Sequence, residues 1–118
     1  MGLLARMGRR LFRSDEDILA DEVRGWAEDV ARTTRIADCR GRSRERVAGV
    51  VKRIRLNPRE GAGTLEVVVG DGTGEVVAIW TGRLEIPGLT LGTRLVLEGV
   101  LGEERGGLRM VNPRFEFG

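Results

Sequence analysis

The sequence has 118 residues, of which 41% are hydrophobic and 32% are charged, and this fits one folded domain. One cysteine and no histidine exclude an intrachain disulfide and a Cys/His zinc site, and remove the commonest general base. We therefore predict a protein that is not an enzyme and has no cofactor or metal. No apolar run approaches the roughly 20 residues of a membrane span, and the first residues lack the apolar stretch of a signal peptide, which predicts cytoplasmic residence.

Charge is unevenly distributed along the chain, although the net value is only +2. Residues 1–13 hold four arginines and no acid, and residues 14–31 hold seven acids and one arginine. Residues 32–59 hold ten bases against two acids. Such a basic band is typical of proteins that contact an anionic polymer. The alternative interpretation is a solvated face in an arginine-rich chain, in which Lys52 is the only lysine.

The chain starts with a basic stretch and an amphipathic helix. Residues 1–13 are interpreted as a basic, flexible N-terminus. Ser14 and Asp17 form a capping box, which predicts a helix over residues 14–38. One apolar stripe follows at spacings of four, three and four residues: Leu19, Val23, Trp26 and Val30. The stripe must be buried against the barrel or a second copy, so this helix is the candidate site for a protein partner or homodimer.

The rest of the chain predicts a basic linker over residues 39–45 and a small barrel over residues 46–118. The strand-like runs are Arg46–Leu56, Thr64–Gly70, Glu75–Trp80, Thr93–Leu101 and Leu108–Phe117. Five short strands separated by glycine-rich turns favour a closed barrel, in which the strand edges are hidden. Because the strand pattern begins near Val47, we expect a fragment starting near Ser43 to fold without the helix.

An ordered set of short motifs lies in the predicted strands two to five. Its members are Asp71–Gly74, Trp80, Leu89–Gly92, Gly99, and the run from Met110 through Pro113 to Glu116. The set resembles OB-fold nucleic-acid-binding domains, and in particular the wedge domain of RecG-type helicases, over about residues 45–117. The resemblance implies a mainly β protein, with a five-stranded OB-fold barrel behind the N-terminal helix. No G-x-x-x-x-G-K-S/T sequence is present, so the motor activity of those helicases is not implied.

OB-folds bind nucleic acid across strands two and three, between the one-two and four-five loops. The resemblance therefore implies a nucleic-acid-binding set: Lys52, Arg53, Arg55, Arg59, Trp80, Arg83, Arg105 and Arg109. Simple alternation along strand one sends Arg53 and Arg55 to one face and Lys52 to the other. The same alternation places Ile54 and Leu56 on the face of Lys52, and both are expected in the core. Trp80 is interpreted either as a core ring or as a ring that stacks on a base.

Together these features predict a module that binds single-stranded or branched DNA, with DNA favoured over RNA. Aromatic residues make up only 4% of the chain, so binding is expected to be largely electrostatic and weakly sequence-specific. The alternative is a protein-interaction or dimerisation module on the same scaffold, because fold does not decide function.

Overall fold

The computed structural model describes residues 14–58 and 63–118, which form one helix and a single β-sheet. The elements in chain order are helix α1 (Asp15–Asp29), a 3₁₀ turn (Ile36–Asp38), and strands β1 (Arg44–Asn57), β2 (Thr64–Gly70), β3 (Glu75–Thr81), β4 (Arg94–Glu104), β5 (Gly107–Val111) and β6 (Arg114–Phe117). None of the helical segments in the described part of the chain is long and apolar enough to cross a membrane.

The sheet closes into a barrel through β1. The second half of β1 pairs with β2, and its first half pairs with β4. The strand order is β1-β2-β3-β5-β4, with β4 returning to β1, and only the β3–β5 pairing is parallel. This order confirms the predicted five-stranded OB-fold barrel behind an N-terminal helix.

The predicted fifth strand is divided at Asn112 and Pro113. Asn112 has a φ of 49°, in the left-handed region, and Pro113 has no backbone N–H to continue the ladder. Strands β5 and β6 therefore pair with different halves of β4. The Asn112 side chain joins this break to the end of β3: its Oδ1 accepts a hydrogen bond from Thr81 N, and its Nδ2 donates to Thr81 Oγ1, both at 3.0 Å.

The barrel interior is filled by the inward-facing side chains of every strand up to β5. Those with at most 2% exposure include Val47, Leu65, Val67, Leu95, Leu97, Leu101 and Met110. Along β2 and β3, buried residues alternate with partly exposed ones, as the period-two pattern predicts. The core therefore holds β2 and β3 rigidly, with a defined outward face.

Helix α1 begins as predicted but ends at Asp29, so the prediction of one helix over residues 14–38 is wrong. Asp17 N donates to Ser14 Oγ at 3.2 Å, which caps the first turn. At the other end, the Thr33 hydroxyl donates to Val30 O at 2.9 Å, and Arg32 adopts a φ of 63°. Thr34 N then donates to Arg46 O at 2.8 Å, which brings the chain back to β1.

The second half of the α1 stripe contains the part that is buried against the barrel. Ala27 is buried with Ala48 and Val96, which lie on the outward faces of β1 and β4, and Trp26 packs against this cluster. By contrast, Leu19 is 59% exposed, although the first half of the helix lies beside the turn between β2 and β3, where Ala20 O approaches Gly72.

The 3₁₀ turn places Ile36 in the barrel core. Ile36 is 2% exposed, and its backbone N–H donates to Asp71 Oδ2 at 2.9 Å. Asp71 is itself buried, and its Oδ1 accepts from the backbone N–H of Thr73 and Gly74 and from the Thr73 hydroxyl. The core therefore begins ten residues before the predicted start of the barrel, and a fragment starting near Ser43 would lack one of its members.

Candidate nucleic-acid interface

A shallow groove lies on the outward face of β2, β3 and β5. It encloses about 500 Å³, and its lining residues are Glu66, Val77, Ile79, Glu104, Arg105, Gly107, Leu108 and Arg109. The groove exists because both faces of β3 are apolar: Ala78 points into the core, while Val77 and Ile79 point outward. The hairpin between β4 and β5 forms one wall. The groove combines an apolar floor with charged sides.

Strand β1 extends this face with Arg53 and Arg55. Arg53 lies opposite Val68, and Arg55 lies opposite Glu66. Directly opposite residues in a sheet share a face, so one row runs from Arg53 through Val68 and Val77 to Arg109. Both β1 arginines are exposed, and neither forms a salt bridge with another described residue. They are available to an anionic ligand.

Lys52 also lies on the outward face, so the prediction that alternation sends it to the opposite face from the arginines is wrong. The register shifts between Val51 and Arg53, which makes Lys52 the extra residue of a β-bulge. The Lys52 stem covers the outward side of Gly70, and its Nζ lies 3.9 Å from Glu75 Oε2. This ion pair sits at the end of the sheet where β2 turns into β3, since Gly70 lies opposite Glu75.

Ile54 and Leu56 are more exposed than predicted, although they lie on the core-facing side of β1. Their partners across the sheet are the buried Val67 and Leu65. Ile54 is nevertheless 37% exposed and Leu56 is 54% exposed, because this part of β1 extends past the region that β4 covers. The prediction that both are core residues is therefore wrong.

The β4–β5 hairpin supplies Arg105 and Arg109 to the groove. Arg109 forms a short charge-assisted hydrogen bond with Glu104, which partly neutralises it. Arg105 lies at the hairpin tip with a φ of 52°, is exposed, and makes no salt bridge to a described residue. The structure therefore brings both predicted hairpin arginines to the groove, in different electrostatic states.

Trp80 is a core residue, which corrects its interpretation as a stacking ring. Its side chain is 5% exposed, its Nε1 donates to Pro113 O at 3.2 Å, and its ring meets Phe115 edge-on. With so little exposure the ring offers almost no surface on which a base can stack, although it lines a second groove together with Arg83.

One other predicted residue, Arg83, is not brought to the groove. Arg83 is exposed, but it lines a separate groove of about 570 Å³ with Arg46, Asn112 and Arg114. Arg59 lies outside the described residues. The predicted binding set therefore divides between two surfaces.

Sequence reasoning missed the apolar floor of the groove, formed by Val77 and Ile79. The signal was present in β3, where the residues on both faces of the strand are apolar, although only one face can lie against the core. The acidic members Glu66 and Glu104 carry no distinguishing pattern and emerge only from the strand pairing.

Cys39 is a half-buried thiol close to the 3₁₀ turn. Burial, together with the nearby carboxylates of Glu45, Asp71 and Asp38, raises its pKa to about 11. Its Sγ donates to Arg35 O at 3.4 Å. Within residues 14–58 and 63–118, no group of three or more Cys, Asp or Glu side chains could hold a metal ion.

A comparison with known protein families supports this assignment of the barrel. Residues 45–117, about three fifths of the chain, match the tRNA anti-codon family, which is described as an OB-fold nucleic acid binding domain. No curated protein matches the sequence at a significant level. The matched range runs from β1 to β6, so it contains the groove and leaves out helix α1. The chain belongs to the tRNA anti-codon family of OB-fold nucleic acid binding domains.

Proposed function

We propose that this OB-fold module binds single-stranded or branched DNA across the outward face of β2 and β3, without catalysis, in the cytoplasm. The observation that carries the proposal is the groove of about 500 Å³, which is lined by arginines of the β4–β5 hairpin and has further arginines next to it on β1. Arg53 and Arg55 border it on β1, and Arg105 borders it on the β4–β5 hairpin. A single strand laid across the sheet would meet cations at both edges and an apolar floor between them.

Binding through this groove is expected to depend on charge more than on base identity. The lining contains no aromatic side chain among the described residues, because Trp80 is in the core. Stacking on aromatic rings is the usual sequence-tolerant source of affinity for single strands, so its absence leaves phosphate contacts as the main contribution. Each phosphate contact should contribute about 0.7 to the slope of log K against log salt for a single strand.

The resemblance to the wedge domain of RecG-type helicases supports DNA, and branched DNA in particular. The motifs that carry it map to the frame of the barrel: Asp71 anchors the 3₁₀ turn, and Trp80 and Met110 are core residues. The resemblance therefore concerns the barrel itself. The residues that would contact nucleic acid are inferred from the groove.

A fluorescence polarisation titration tests the proposal. Labelled single-stranded, duplex and forked DNA of equal length, with RNA of the same sequences, would be titrated at two salt concentrations about fourfold apart. We expect single-stranded or forked DNA to bind most tightly, with a steep loss at the higher salt. Equal affinity for the plain duplex, tighter binding of RNA, or no binding at low salt would each contradict the proposal.

A second candidate function is self-association or partner binding through α1. Ile18 is 44% exposed and Leu19 is 59% exposed on the first half of the helix. A groove of about 730 Å³ lies beside them, between α1, Val50 and Leu91. Sedimentation at increasing protein concentration would reveal a dimer, which Leu19→Ser should dissociate. A monomer at every concentration would exclude the homodimer.

A further inference from the structure

Strand β1 has an unpaired edge over its last residues. Its pairing with β4 ends at Val50, opposite Arg94. The last hydrogen bonds on that side join Val51 O to Gly92 N at 2.8 Å and Val51 N to Thr93 O at 2.9 Å. Beyond this point β1 pairs only with β2, and no described residue hydrogen-bonds the opposite edge. A free edge of this kind presents backbone N–H and C=O groups to a further strand.

The two faces beside this edge have opposite chemical character. Arg53 and Arg55 lie on the outward face, exposed and without an ion pair to a described residue. Ile54 and Leu56 lie on the other face and are 37% and 54% exposed. Phosphates would satisfy the arginines but would cover neither the apolar side chains nor the backbone groups of the edge. The proposed nucleic-acid function therefore leaves these features unexplained.

A second copy of β1 fits this edge poorly. Two copies paired antiparallel about a two-fold axis place residues of the same face opposite each other. A pairing centred on Ile54 sets Arg53 of each copy against Arg55 of the other. A pairing centred on either arginine sets that residue against itself. Like charges directly opposite destabilise a sheet, so the charges disfavour self-pairing and favour an acidic strand.

We propose that the edge of β1 from Arg53 to Asn57 binds an extended peptide in which acidic residues alternate with apolar ones. The peptide adds a strand to the sheet and hydrogen-bonds the free backbone groups of β1. Its acidic side chains lie beside Arg53 and Arg55, and its apolar side chains cover Ile54 and Leu56. The occupant is thus a segment of a partner protein with this alternating pattern.

The test uses fluorescein-labelled synthetic peptides of about six residues, the usual length of a strand, with the full chain as receptor. The probe alternates glutamate with valine. One control has the same composition with the glutamates and valines in separate blocks, and another alternates lysine with valine. We expect binding of the alternating acidic peptide only. Equal binding of the block peptide, binding of the lysine peptide, or no binding of the probe would overturn the proposal.

Backbone pairing is tested with N-methylated versions of the probe. Methylating alternate amides removes the donors on one edge of the peptide strand and leaves its charge unchanged. One of the two alternating methylation patterns should abolish binding and the other should preserve it. If both patterns bind equally well, the peptide does not add as a strand, and the proposal is wrong.

Variants of the protein separate this site from the nucleic-acid site. Ile54→Thr combined with Leu56→Thr should weaken the peptide about fivefold and leave single-stranded DNA affinity unchanged, because no charge is altered. Val100→Thr is the control, since Val100 is 59% exposed on another strand, and it should leave both affinities unchanged. Unchanged peptide affinity in the double variant would overturn the proposal, whatever the protein does with DNA.

Discussion

The carboxylate of Asp71 accepts a hydrogen bond from the backbone amide of Ile36, 2.9 Å away and 35 residues earlier in the chain. The bond fixes the 3₁₀ turn to the hairpin that joins β2 and β3. Since Ile36 is 2% exposed within the barrel core, this contact holds the segment before β1 in place as a part of the domain.

Replacing Asp71 with alanine should destabilise the protein by about 2–3 kcal/mol, because it leaves buried backbone N–H groups without their charged acceptor. Chemical denaturation followed by circular dichroism would measure the change. Glu85→Ala is the matched control, since Glu85 is an exposed loop acid, and it should change the free energy of unfolding by less than about 0.5 kcal/mol. Equal effects of the two substitutions would contradict the role given to Asp71.

Ile36→Ala should cost about 3 kcal/mol, the usual range for opening a cavity in a packed core. Ile18→Ala removes the same atoms from a side chain that is 44% exposed and should have little effect. A fragment starting at Thr33 keeps Ile36 and the bond from Thr34 N to Arg46 O, so it should unfold at a higher temperature than one starting at Ser43. Identical thermal midpoints for the two fragments would show that Ile36 does not stabilise the barrel.

Arg53→Ala combined with Arg55→Ala should weaken binding to single-stranded DNA at least about tenfold near physiological salt, roughly 1.4 kcal/mol. The salt slope should also fall by about 0.7 for each lost phosphate contact, with unfolding nearly unchanged. Arg40→Ala with Arg42→Ala removes the same charge from the segment before β1 and is the control. A larger loss in that control pair would move the site to the basic segment.

Glu104→Gln should strengthen DNA binding about twofold to fivefold at low salt, because it releases Arg109 from the ion pair at the groove wall. The control is Glu103→Gln, which makes the same change in net charge at the neighbouring position, outside the groove lining. Polarisation titrations of both variants would measure the difference. Equal gains would mean that only net charge matters and that Arg109 has no specific contact.

The Cys39 thiol should react slowly with iodoacetamide at pH 8, because a pKa of about 11 keeps it protonated in the folded protein. The unfolded chain loses this proton near the ordinary thiol pKa, so stability should fall as the pH rises from about 9 to 11. Cys39→Ser should remove that part of the pH dependence. Alkylation of the native protein at the rate of an unfolded cysteine would contradict the prediction.

Most of the barrel was predictable from local pattern. Alternation in Thr64–Gly70 gave β2 its observed bounds, and glycine and proline placed the turns around it. The division of the fifth strand at Asn112 could be predicted only in part. Pro113 marks the break in the sequence, whereas the separate pairing of β5 and β6 depends on their contacts with β4.

The errors come from contacts between residues that are distant in sequence. Ile36 joins the core only because Asp71 binds its amide, and no local periodicity reports such a bond. The predicted face of Lys52 was wrong because one bulge residue shifts the alternation of faces for all later residues of the strand. Leu56 has the right parity but lies past the end of β4, and strand lengths across a sheet are not visible in a single strand.

The closure of the barrel through β1 has a consequence for the chain during its synthesis. Arg44 pairs with Val100, so the first half of β1 has no partner until most of the chain has left the ribosome. Until then β1, β2 and β3 form a valine-rich meander with both outer edges open. Pairing over such sequence separations is slow, and open edges associate with other chains. The growing polypeptide is therefore the aggregation-prone species, and a chaperone that covers the meander would act before β4 is made.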